Sequence, residues 1–398
     1  MAMRSAEPGE EPRIDSSDWR LAKRNVQGGT ARGDYYQTYP PFEAAPFRFT
    51  KARVTGSVSN PGHSASFVHP LLAPQYIPEK NWGGLRRTSA PIGLVLPRYT
   101  KVTWDRLYDM IDAGVGGSVG ENYCAWIRIR RHLSSPVSTL HVEHTPLYSH
   151  RGLHLLSDDE DRMARIFVWL GAIEVREQMP MWPDPHRLPL FGWHPDRDRS
   201  LGEAPGLLEI AKKAGIDHGR YYATKIPFIA TTDLMVRFGI PPDDRLILCQ
   251  CKPRKIAEAP KNSRTRERLI LETLYAKAIG ACAAVIHEDY LPSVFHENLI
   301  WLEPLRSEIL SARTSQQIFD YAHAFMRRCD SDPIEACVEH AASSTGMDLI
   351  TGHASFRMAA WAGLIDADLL QPIQMTRLLQ RDGGRLRAHV AQELLCPA

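Results

Sequence analysis

The sequence predicts an α/β core followed by a helical C-terminal part. Three observations predict it. A capped amphipathic helix precedes a series of apolar, strand-like runs; helix and strand patterns then succeed one another; and beyond about residue 304 the periodic segments have helical spacing. The 398 residues allow two or three domains, and a hydrophobic fraction of 43% supplies real cores. The net charge is only +2, so no global basic field announces a nucleic-acid partner, and any patch must be local. Cys124, Cys249, Cys251, Cys282, Cys329, Cys337 and Cys396 are odd in number and show no CxxC spacing. That argues against a disulfide framework or zinc ribbon and suits a reducing, cytoplasmic location. The N-terminus lacks the apolar stretch of a signal peptide, and no apolar run is long enough to span a bilayer, so no membrane partner is expected.

Residues 1–95 are rich in Pro, Gly, Ser and Tyr and read as an N-terminal extension without sustained periodicity. Its aromatics argue against full disorder. From "TWDRLYDMIDAG" the pattern changes: Trp104, Leu107, Tyr108 and Ile111 share a helical face, and Gly114 is a stop. "GVGGSVG" is glycine-rich but lacks the Lys-Ser or Lys-Thr of a phosphate loop. "ENYCAWIRIRRH" alternates like a strand, with Arg128, Arg130 and Arg131 either solvated at an edge or contacting phosphate. His141, His144, His150 and His154 do not fit a zinc spacing well. In "LLSDDEDRMARIFVWL", Ser157 is an N-cap with Glu160 three residues on, as in a capping box, and Ala164, Phe167 and Val168 are candidates for the buried stripe. "IEVREQMP" reads as a strand, residues 180–206 as a long Pro- and Trp-rich loop, and "LLEIAKKAG" as a short helix. "KIPFIATTDLMVRFG" and "LILCQCKP" read as strands, and "TRERLILETLYAKAIGACAAVI" as helix then strand. The C-terminal helices end in "SFRMAAWAGLIDADLLQPI", a helix followed by a small strand, which suits either a winged-helix domain or a generic helical bundle.

One strand raises a chemical question. In Asp244–Pro253, alternation puts Leu246, Leu248, Gln250 and Lys252 on one face. A lysine there either surfaces or is paired and working. Asp233 ends the preceding strand and Glu160 opens the earlier helix, so a sheet could gather all four. Two carboxylates and an amide oxygen make a hard site suited to Mg²⁺ or Mn²⁺, with Glu160, Asp233 and Gln250 as ligands. A neighbouring lysine can stabilise a developing charge on phosphate, which is the equipment for metal-assisted phosphodiester hydrolysis. Arg176, Glu177 and Gln178 read as a charged strand end pairing internally, with Gln178 placed to support the metal ligands.

"YSHRGLHLLSDDED", "IEVREQMP", "TTDLMV", "LCQCKP", "LILETLYA" and "VFHENLIWL" together resemble the TnsA family, the endonuclease subunit of heteromeric transposases. The resemblance covers roughly residues 101–385. It implies a restriction-endonuclease-like α/β nuclease core, a mixed central sheet flanked by helices, over residues 96–304, and a small α-rich winged-helix-like domain over 305–398. It also implies that Glu160, Asp233, Gln250 and Lys252 occupy catalytic positions, with Glu272 a further acidic group near the site. The implied partners are transposon-end DNA, a TnsB-like DDE transposase and a TnsC-like ATPase regulator. Met235, where the family pattern has Leu, and Leu234, where it has Phe, are packing departures. Two other readings compete: a non-catalytic DNA-binding or assembly protein that keeps the nuclease fold as scaffold, and a stand-alone restriction-type defence nuclease.

Overall fold

A computed structural model describes residues 102–129, 139–141, 152–193, 198–239, 244–258, 263–287, 289–304 and 315–395. The extension over 1–95, together with Arg130, Arg131, His144, His150 and Cys396, lies outside the described residues. The centre is a four-stranded mixed sheet of β3 (Glu174–Met181), β6 (Ala230–Phe238), β7 (Arg245–Cys251) and β8 (Cys282–Ile286), in the order β3-β6-β7-β8. The β3–β6 and β6–β7 pairs are antiparallel and the β7–β8 pair is parallel. A parallel neighbour requires a crossover, and α5 (Ser263–Ala278) supplies it.

Helices cover both faces of the sheet, so β3, β6 and β7 are buried almost throughout rather than alternating between core and water, while the edge strand β8 is mostly half-buried. On one face, Leu234, Val236, Ile247 and Cys249 pack with residues of α2 (Asp158–Trp169) and α6 (Ser293–Leu302). On the other, Met179, Met235, Leu246 and Leu248 meet α3 (Leu207–Ala214) and the Leu271 and Tyr275 side of α5. The predicted strands and helices of this core therefore form. In α2 the burial exceeds the expected stripe: every residue from Met163 to Trp169 is buried, Arg165 through ion pairs with Asp161 and Glu303.

Some expectations change. The stretch from Glu121 forms no strand over its described residues; Gly120–Asn122 is a 3₁₀ turn and the chain beyond it is irregular. It is tied to β3 at single points, by Trp126 N donating to Gln178 O at 3.3 Å and Tyr123 Oη donating to Glu177 O at 2.9 Å. Ile127 is 38% exposed. The glycine-rich turn before it is a packing device: Gly116, at φ 76°, leaves only 2.5 Å between an added Cβ and the Pro180 ring. Small ladders also appear: β1 (Thr139–His141) with β2 (Leu153–Leu155), and, inside the expected long loop, β4 (His186–Arg187) with β5 (Glu203–Ala204).

α1 (Trp104–Asp112) precedes the sheet, and α4 (Arg254–Glu258) follows β7. The C-terminal part contains α7 (Ser315–Met326), α8 (Ile334–Ser344), α9 (Leu349–Ala362) and α10 (Gly383–Leu395). The small strand expected after α9 does not form: Gly363, at φ 80°, caps the helix, and the described residues 363–382 contain only turns. Their backbone groups are satisfied elsewhere, with Asn298 Nδ2 donating to Leu369 O and Gln371 O at 2.9 and 2.8 Å. A winged-helix domain is therefore not shown. These helices share one continuous apolar cluster with the sheet, running from Ile247 and Phe295 to Phe356 and Trp361. Among the described residues no helix is long and apolar enough to cross a membrane.

Candidate active site

β6 and β7 pair from Leu234–Cys249 to Phe238–Arg245, and the ladder stops at Asp233 and Gln250. Where the strands part, the Asp233 side chain replaces a ladder partner: its Oδ2 accepts the Cys251 N–H at 2.9 Å. The same oxygen accepts from Lys252 Nζ at 2.5 Å, and Nζ also donates to Gln250 Oε1 at 3.0 Å. Asp233, Gln250 and Lys252 thus converge as expected. Lys252 is both paired and partly surfaced, with 27% of its side chain accessible.

Glu160 arrives from the first turn of α2. Ser157 Oγ accepts the Glu160 N–H at 3.2 Å, giving the N-cap. The reciprocal half of the capping box is displaced by one residue, since Glu160 Oε2 accepts from Leu156 N at 2.8 Å. Gln178 Nε2 donates to that oxygen at 3.3 Å, and Gln178 Oε1 accepts from Thr231 Oγ1 at 3.0 Å. Gln178 lies between the β3–β6 pairs Glu177–Leu234 and Met179–Thr232, at φ 48°, with its own carbonyl turned to Trp126. It bridges α2 and β6 by hydrogen bonds at this point. Its Arg-Glu-Gln neighbours behave as a self-paired strand: Arg176 donates to both Glu174 oxygens at 2.8 and 2.9 Å. Sequence reasoning gave Gln178 a supporting role but missed Thr231, a hydroxyl in a run of two threonines that looks like ordinary β-propensity.

Glu272 comes from α5 on the Gln250–Lys252 side. It is buried, and its Oε2 has no hydrogen-bond partner among the described residues. Burial and the Asp233 charge push the Glu160 carboxyl up to about 8, despite the backbone hydrogen bond at Leu156. Burial likewise raises Glu272 to about 8, against the pull of Lys252. Burial opposes the charge on Lys252, but Asp233 and Glu272 outweigh it and hold the ammonium above the ordinary lysine range. Three carboxylates thus compete for one lysine in a poorly solvated place, an arrangement that favours protons or a further cation. Carboxylate and amide oxygens suit a hard divalent ion, and Glu160, Asp233 and Gln250 are the groups that could hold it. Among the described residues no three His, Cys, Asp or Glu side chains form a ready-made cage. Of the histidines, His154 is occupied structurally, accepting the Ile129 N–H at 3.1 Å through Nδ1.

A mixed sheet flanked by helices, with a carboxylate–amide–lysine set where two strands separate, is compatible with a nuclease core. Over 231 residues the chain is 27% identical to the Escherichia coli protein described as transposon Tn7 transposition protein TnsA, a match covering 57% of this chain and 72% of that protein. This supports the TnsA-like resemblance. No family model matches the chain.

Proposed function

We propose that this protein is the metal-dependent DNA endonuclease subunit of a heteromeric transposase, hydrolysing phosphodiester bonds at the 5′ ends of its transposon. The observation that carries this reading is Lys252 Nζ held between Asp233 and Gln250 at a parting of strands, in a chain similar to a TnsA. Glu160, Asp233 and Gln250 would hold Mg²⁺ or Mn²⁺. Such an ion, when bound, supplies an activated water and neutralises charge on the phosphate. Lys252, fixed by two acceptors and open on its outer side, donates to a phosphate oxygen as negative charge builds there. Gln178 keeps the Glu160 carboxylate turned toward the site, and Asp233, helped by Glu272, holds the lysine charged. A TnsB-like DDE transposase and a TnsC-like ATPase are the partners this reading requires. A reducing cytoplasm fits the described cysteines, all of which are free.

The test uses the full chain with its neighbouring transposase subunit and ATPase on labelled transposon-end DNA with Mg²⁺. Asp233→Ala and Lys252→Ala should each lower 5′-strand nicking by about 10²-fold or more while the variants keep the wild-type circular dichroism spectrum. Equal nicking by wild type and folded variants would sink the nuclease reading and leave the scaffold role.

A further inference from the structure

Behind Glu272 lies a second feature that the proposed chemistry does not use. A cleft of about 220 Å³ opens between α5 and the loop that follows α3, lined by His218, Gly219, Arg220, Phe228, Arg264 and Arg268, with Glu272 among its walls. Arg264, Arg268 and Glu272 recur every fourth residue along α5, so they share one helical face. The stripe therefore runs from the candidate active site to a cationic end.

The three arginines are not equivalent. Arg264 builds the loop: it donates to the carbonyl oxygens of Asp217 and, at 2.7 Å, His218, and pairs with Glu267 at 3.2 Å. Gly219, at φ 86°, lets the loop pass close, since an added Cβ would lie 2.4 Å from the Arg264 guanidinium. Arg220 and Arg268 are exposed, and Arg268 rests 5.5 Å over the Phe228 ring, which leaves its guanidinium edge available to a ligand. His218 is buried, 9% exposed; its Nδ1 faces the Gly219 carbonyl at 3.0 Å, while Nε2 has no hydrogen-bond partner among the described residues. The Gly219 carbonyl only accepts, so Nδ1 carries the ring proton and Nε2 is an acceptor; the donors for an anion in this cleft are the Arg220 and Arg268 guanidiniums. Glu272 supplies no positive charge, so the ligand belongs at the Arg220–Arg268 end.

We infer that this cleft binds a backbone phosphate of the DNA duplex a short distance from the phosphate that is cut, fixing the register of the strand on the active site. The inference rests on the nuclease reading for its ligand, and its test is kept independent of cleavage. The full-length protein is titrated with a short fluorescein-labelled duplex, without divalent ions, across a range of salt concentrations. Arg220→Ala and Arg268→Ala should each weaken binding several-fold and reduce the slope of log K against log salt by about 0.9 for each phosphate contact removed. Lys213→Ala, which removes an equal charge from an exposed site 74% accessible on α3, should leave the slope unchanged. Unchanged affinity and slope in folded arginine variants would overturn the inference, as would an equal loss with Lys213→Ala. So would inorganic phosphate that binds wild type but not the variants while duplex affinity stays constant, because the cleft would then serve a free anion. Wild-type protein that shows the expected arginine dependence yet never cuts would refute the nuclease assignment and leave the phosphate cleft standing.

Discussion

Gln178 carries a backbone strain that only its surroundings explain. A non-glycine residue at φ 48° costs roughly 1–3 kcal/mol, and here the side chain bridges Glu160 and Thr231 while the carbonyl serves Trp126. Gln178→Gly relieves the strain and loses the bridge; Gln178→Val keeps the strain, adds β-branching and loses the bridge. The expected order of stability in urea melts is therefore glycine above valine, with a gap of about 1–3 kcal/mol. Both should cut poorly, and a glycine variant with full nicking would show that Gln178 does not position Glu160. At this scale the meeting of the candidate residues was legible: Asp233, Gln250 and Lys252 come together because period-two alternation fixes which side chains share a face. The strained glutamine was not, since φ is set by the three elements meeting there and leaves no mark in residue type.

Single elements were legible where one periodicity and one cap decided them, as in α2, whose Ser157 cap forms. They were not where hydrogen bonding is piecemeal. The stretch around Trp126 has strand-like alternation but finds no continuous ladder, so its pattern misled. A small buried contact joins β4 to α5: His186 Nε2 meets Tyr275 Oη at 2.7 Å, and the rings stack at 5.8 Å. Burial lowers His186 to about 4, partly opposed by the Asp184 carbonyl, and burial with nearby Arg162 lowers His296 of α6 to about 4. Both values lie below the ordinary 6.5. As pH falls from about 6.5 toward 4, the unfolded chain takes up protons that the folded chain refuses. Stability should thus be intact above that window and decline through it, by up to about 3 kcal/mol for each histidine. Urea titrations at a series of pH values should show this acid limb, and His186→Asn with His296→Gln should flatten it. An unchanged slope in that double variant would mean other groups govern the loss.

Across the whole molecule, the sequence periodicity changes near residue 304, from mixed helix and strand patterns to helical spacing alone. Periodicity cannot tell whether two regions have separate cores, and among the described residues one apolar cluster joins these: Trp301 of α6 meets Phe356 of α9 at 6.0 Å, and Arg387 of α10 lies 4.5 Å over Trp169 of α2. Arg387 also donates to the carbonyl oxygens of Trp361 and Ala362, joining α9, α10 and α2 through one guanidinium. Tyr290 Oη donating to Glu393 at 3.0 Å adds a second tie. Residues 315–395 and the sheet should therefore unfold in one calorimetric transition, and Arg387→Ala should shift that transition down without splitting it. Two resolved transitions in the wild type would contradict a shared core.

That shared core bears on how such a chain can be remodelled by recombination between genes. A segment with its own interior can be exchanged at its boundary, because the cut crosses few contacts. Here a splice at residue 304 would strip Phe356 of the Trp301 ring of α6 that it meets at 6.0 Å and leave Arg387 facing a foreign ring or none. A hybrid that accepted new C-terminal helices would have to import α6 and the Trp169 end of α2 with them, and so carry part of the central sheet's own covering layer. Innovation in this C-terminal part is consequently steered toward its outward-facing positions, such as Ile350, 85% exposed at the start of α9, where a change touches a visitor and not the fold.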